Sequence, residues 1–105
     1  MSIRKIINRV PIMVDFEIGG VLFRTQEKNL QRAPKSLLGD KNLRFALWDE
    51  RSQVHVVDRN PDYFEAIFVF YQDGVLERPS NIPLERFVEE IKFYGLQKEA
   101  IGDDN

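Results

Sequence analysis

The side chains able to carry covalent or proton-transfer chemistry are few. The chain has one histidine, His55, and no cysteine. Without cysteine there is no thiolate nucleophile, no disulfide and no thiolate-ligated zinc. One imidazole is too few for the usual all-protein catalytic metal centre. His55 lies in Val54-His55-Val56-Val57. Strand alternation puts it on the face opposite Val54 and Val56, where a lone histidine is most often a surface or half-buried residue and seldom a proton shuttle. Glu89 and Glu90 are adjacent. On a helix neighbours diverge by about 100°, which makes a poor acid–base pair, so both are placed on a solvated exterior. Gly19-Gly20 is not followed by a phosphate-loop pattern and reads as a turn. No nucleophile, base and orienting group can be drawn from this inventory, and the expectation is a binding module, not an enzyme: no catalytic residue, no cofactor, no metal.

Composition supports that direction. The 105 residues are 43% hydrophobic and 30% charged, with eight Phe, enough for one small core and no second one. Fifteen basic against seventeen acidic residues give a net charge of −2, which argues against a strongly basic nucleic-acid binder. No apolar run is long enough to span a bilayer, and no secretory signal is expected. The default is a small domain of a reducing, cytosolic setting.

These residues need elements to position them. Residues 1–11 read as a short leader, helical or extended, and residues 102–105 as a frayed tail; the domain is placed at 12–101. Ile12, Val14, Phe16 and Ile18 alternate with Met13, Asp15 and Glu17, the period of a strand with one buried face. The glycine pair and Val21 to Thr25 complete a hairpin. Thr25 is a candidate cap for a helix from about Gln26 to Ala33, ended by Pro34, with a second helical turn at Lys35 to Leu38. Leu43 to Trp48 is ambiguous; Phe45, Leu47 and Trp48 favour an extended segment, and Trp48 is either core or an exposed anchor for a partner. Asp49 to Gln53 reads as a polar turn before a strand at Val54 to Val57.

The clearest helix follows. Asn60 suits the cap, Pro61 the first turn, and Asp62 the positive end of the helix dipole. Phe64, Ile67, Phe68 and Tyr71 form one apolar stripe and Gly74 ends it. Val75-Leu76 is expected as a short strand or bridge. A last helix starts near Pro83, with Leu84, Phe87, Val88 and Ile91 inward and Glu85, Arg86, Glu89, Glu90 and Lys92 outward, ending at Gly95. The predicted class is α+β: a small mixed sheet, the N-terminal hairpin plus later strands, covered by four or five helices.

Five runs taken together resemble a known family. Phe16 to Thr25 resembles the opening hairpin of the potassium-channel tetramerisation domains of the BTB/POZ superfamily. Leu37-Leu38-Gly39-Asp40 is the same as that family's next signature. Asp58 to Phe64 resembles its strand-to-helix junction, and Tyr71 to Pro79 its Tyr-x-x-Gly-x-Leu-x-x-Pro element. Asn81 to Leu84 and Glu89 to Leu96 are similar to the final helix of Shaker-type voltage-gated channels. Other channel subfamilies carry a His/Cys zinc motif that a cysteine-free chain cannot hold, which favours the Shaker type.

The resemblance implies an N-terminal cytoplasmic assembly domain that forms a fourfold homotetramer, or a heterotetramer with subunits of its own subfamily, on the cytoplasmic face of the plasma membrane. It implies interface residues Thr25, Gln26, Asp40, Asp58, Arg59, Asn60 and Gln72, with no nucleic acid and no direct membrane contact. It also implies a second partner, a cytoplasmic oxidoreductase-like channel β subunit. Five of these have a local reading beside this one: Thr25 as a helix cap, Asp58-Arg59-Asn60 as a solvated junction with Asn60 capping the helix, Gln72 as plain surface. If Asp58 and Arg59 make charge-assisted bonds across the boundary, replacing both with alanine turns tetramer into monomer. The rival within the superfamily is a soluble adaptor that recruits a ubiquitin-ligase scaffold and is often pentameric.

Overall fold

The computed structural model describes residues 10–101. The leader's residues 1–9 and the tail 102–105 lie outside them. Four strands form one mixed sheet: β1 (Met13–Ile18), β2 (Val21–Gln26), β3 (Trp48–Asp49) and β4 (Val54–Val57), in spatial order β2-β1-β4-β3. The β1–β2 and β3–β4 pairs are antiparallel, and β1–β4 is parallel. Among the described residues the helices are α1 (Glu27–Leu30), α2 (Lys41–Phe45), α3 (Pro61–Asp73), α4 (Leu84–Tyr94) and α5 (Gln97–Ile101). The class is α+β, as the alternating pattern predicts.

The hairpin turn is the expected glycine pair, with φ of 53° at Gly19 and 88° at Gly20, both in the left-handed region a primed two-residue turn demands. Gly19 has a second constraint. A Cβ there would lie 2.4 Å from the Arg59 carbonyl oxygen and 2.7 Å from Pro61 Cδ, so the turn wedges under the β4–α3 junction. The Gly19 amide also donates to Val57 O at 3.0 Å.

The core lies between the inner face of β1 (Val14, Phe16, Ile18) and the buried sides of α3 and α4. Burying an aliphatic or aromatic side chain of this kind stabilises by about 1.5–3 kcal/mol over leaving it exposed. On α3 the buried set is Phe64, Ile67, Phe70 and Tyr71; Phe68 is only half-buried. On α4 it is Phe87, Glu90, Ile91 and Tyr94. The expected α4 stripe was therefore rotated. Leu84 is 60% exposed and Val88 37%, while Glu90 is 4% exposed. Glu90 lies three residues after Phe87 and four before Tyr94, so helical geometry puts it inward whatever its charge.

Other expectations change with the structure. The first helix is a single turn, Glu27–Leu30, and Lys35 to Leu38 is irregular. Leu43 to Phe45 is helical, because the Asp40 carboxylate caps α2. Residues 75–79 form no strand; the chain there runs as an irregular connector. The α5 helix was not anticipated.

Candidate functional site

The seven predicted site residues fall into three groups. The first surrounds the carboxyl end of α3. Thr25 is 3% exposed, and its hydroxyl donates to Gln72 Oε1. Asn29 Nδ2 donates to Thr25 Oγ1 at 3.2 Å and to Gln72 Oε1 at 3.3 Å. Thr25 is therefore not a helix cap. The N-cap of α1 is Gln26, half-buried, whose side chain makes no capping bond. With its oxygen accepting twice, Gln72 keeps two Nε2 donors unpaired among the described residues. Arg32 closes the same corner, Nε donating to Tyr71 O at 3.2 Å and Nη2 to Gln72 O at 3.4 Å, which satisfies terminal carbonyls of α3.

The second group is Asp40 and what supports it. Asp40 Oδ1 accepts from Asn42 N at 2.8 Å and Leu43 N at 3.2 Å. Beneath it, Arg44 is buried and donates to Leu38 O at 2.9 Å and to Glu27 Oε1 at 2.5 Å. Gln31 Nε2 donates to Glu27 Oε2 and to Gly39 O. This fixes the loop before Asp40 to α1.

The third group is the β4–α3 junction. Asn60 Oδ1 accepts from Asp62 N at 2.8 Å and caps α3 as expected. Asp58 is exposed and makes no side-chain hydrogen bond among the described residues. Arg59 is engaged in its own subunit. It forms a two-pronged ion pair with Glu90, and its Cζ lies 4.4 Å from the centroid of the Phe93 ring. The hydrogen bond to Glu90 raises the Arg59 pKa above its ordinary value.

Of the seven, the structure brings Thr25 and Gln72 into contact, with Gln26 adjacent along the chain; Asp40 and the Asp58–Asn60 run stand apart from that pair. Sequence reasoning missed Asn29, Arg32 and Glu90. Asn29 had a signal, its four-residue spacing from Thr25; Glu90 lies 31 residues from Arg59 and had none.

The buried hydroxyls of Ser36, Tyr71 and Tyr94 complete the polar inventory. Ser36 Oγ donates to Ala33 O at 2.6 Å, so the 2.6 Å contact with Tyr71 is the phenol donating to Ser36. Burial pushes the Tyr71 pKa up to about 12. Tyr94 is fully buried with an unpartnered hydroxyl among the described residues, and burial raises its pKa further. Neither phenol ionises near neutral pH, so neither supplies a base. Among the described residues no group of three or more His, Asp or Glu side chains is arranged to hold a metal ion, and no helix is long and apolar enough to cross a membrane.

The model of the BTB/POZ domain family matches residues 14–103. The chain is similar to potassium voltage-gated channel subfamily A member 2 of Xenopus laevis, 45% identical over 89 residues, 84% of this chain and 18% of the relative. Subfamily A member 4 of Homo sapiens is 42% identical over the same share of the chain and 14% of its own length. Subfamily A member 10 of Mus musculus is 38% identical, with 17% of its length covered. The chain thus spans less than a fifth of these relatives.

Proposed function

The chain belongs to the BTB/POZ domain family, and from that membership we propose that residues 12–101 are the tetramerisation domain of a Shaker-type voltage-gated potassium channel subunit. The observation that carries this reading is the 38–45% identity to subfamily A channel subunits across 84% of the chain. The domain performs no reaction in this reading. Its task is assembly on the cytoplasmic side of the membrane, where a channel built from several subunits needs its copies held together.

Four copies around an axis meet through heterologous contacts, one face of each subunit against a different face of the next. The polar groups fit such a seam. The free Nε2 donors of Gln72, the side chain of Gln26, the Asp40 carboxylate and the unpaired Asp58 carboxylate offer donors and acceptors on separate patches. Thr25 and Asn60 hold these patches from behind, one through Gln72 and the other through the start of α3. A mismatched subunit would leave such groups desolvated without partners, which is how a polar seam restricts co-assembly to subunits of one subfamily. A cytoplasmic channel β subunit is proposed as the second partner, checked by pull-down with the assembled ring; recovery of no β subunit removes it.

Light scattering on the purified domain tests the central reading. The 12.3 kDa chain gives about 49 kDa as a closed ring of four. A mass of one chain, or of five as in a pentameric adaptor, overturns it. The interface assignment is tested separately by Asp58→Ala with Gln26→Ala, two side chains with no hydrogen bond inside the protomer among the described residues, which should move the mass toward one chain without changing the unfolding temperature of the protomer. Arg59→Ala is unsuitable here, because it strips Glu90 of its partner and confounds assembly with folding.

A further inference from the structure

Beside the sheet edge, α2 and the β3–β4 hairpin enclose a cleft of about 340 Å³. Phe45, Trp48 and His55 form one aromatic wall, beside Met13 and Val14 of β1. Trp48 and His55 stand edge to face with ring centroids 5.0 Å apart, and Phe16 lies behind His55 at 5.4 Å. Phe45 is 75% exposed at the rim, unusual for a phenylalanine in a well-packed small domain. The cleft falls in the size range of small-molecule pockets, which combine apolar walls with a few polar groups.

The charges at its mouth are unequally committed. The Asp15 carboxylate is paired with Arg24 at 2.7 Å and Arg44 with Glu27. Lys41, on the first turn of α2, forms no ion pair among the described residues. The Trp48 indole N–H makes no hydrogen bond among them either. His55 Nδ1 sits 3.2 Å from Asp15 O, a contact in which only the ring can donate. The available polar groups are thus the Lys41 ammonium, the Trp48 N–H and the amide oxygen of Gln53, whose Nε2 is held by Glu50 O, and the one lining carboxylate, Asp15, is already paired with Arg24.

We propose that this cleft binds a small planar aromatic anion, its ring against Phe45 and Trp48 and its charge on Lys41. The site does not depend on the assembly reading. It would give the domain a small-molecule input distinct from its polar seam.

Trp48 is the single tryptophan, so its indole N–H resonance reports on the cleft alone. The test titrates the domain with naphthalene-2-sulfonate and, in parallel, with the uncharged 2-naphthylmethanol, following that resonance and the binding heat. The sulfonate should shift the Trp48 resonance saturably and bind about two- to fivefold tighter than the alcohol, a preference of the size expected for one exposed charge contact. Lys41→Gln should remove the preference, and Phe45→Ala should weaken both probes. Both positions are exposed, so the variants keep the fold, and light scattering on the same samples keeps any loss of assembly separate. Equal binding of the two probes, an unchanged preference in Lys41→Gln, or shifts scattered over other faces with Trp48 unmoved would each overturn the proposal.

Discussion

The Arg59–Glu90 pair turns a surface charge and an inward-facing carboxylate into one structural unit. Glu90 is nearly inaccessible while Arg59 keeps about a third of its side chain in water. Truncating the cation leaves a buried carboxylate without compensation. Arg59→Ala should therefore destabilise the protomer by about 3 kcal/mol, while Glu90→Gln, which keeps the shape and one acceptor, should cost about 1 kcal/mol. Chemical denaturation at low protein concentration reads both. His55 gives a pH signature. Burial holds its pKa below the ordinary value of 6.5, so the folded state binds its proton less readily than the unfolded chain does. The associated stability is present above that value and is lost as pH falls through the folded pKa. Melting temperatures taken from pH 7 downward should fall, and His55→Asn should flatten that part of the curve. A His55→Asn profile identical to that of the parent chain counts against this account.

Short-range patterns were readable where one element decides its own geometry. The β1 alternation, the Gly19-Gly20 turn, the Asn60-Pro61-Asp62 start of α3 and the αL end at Gly74 all depend on neighbours within a few positions. Features set by distant partners were not readable. Glu90 looked like a solvated residue because its type outweighed its position, and only Arg59 makes its burial tolerable. Thr25 looked like a cap because nothing nearby announces Gln72. Asp40 showed its signature but not its task of starting a helix in an apolar run. The interface residues were legible through resemblance more than through physics, since exposed polar groups look alike until a partner covers them. At this scale a loop glycine gives a sharp test. A Cβ on Gly39 would sit 1.9 Å from the Ala33 carbonyl oxygen, and backbone cannot step aside. Gly39→Ala should cost about 3 kcal/mol or more by unfolding, by distorting the loop that carries Asp40.

For the molecule as a whole, placing the parallel β1–β4 pair at the centre of the sheet has a temporal consequence. Strand β1 is bordered on one side by its hairpin partner and on the other by a strand some forty residues later. The turn between β1 and β2 rests against the backbone of Arg59 and the ring of Pro61. During synthesis the first hairpin can be drawn but not seated: its turn has no abutment until residue 61 has left the ribosome, and its inner face no full cover until α3 and α4 have followed. The patches proposed to recognise a neighbour come into register only once those helices have packed. A half-made chain would carry no address that a sister subunit could read, so pairing among nascent copies would wait for finished domains.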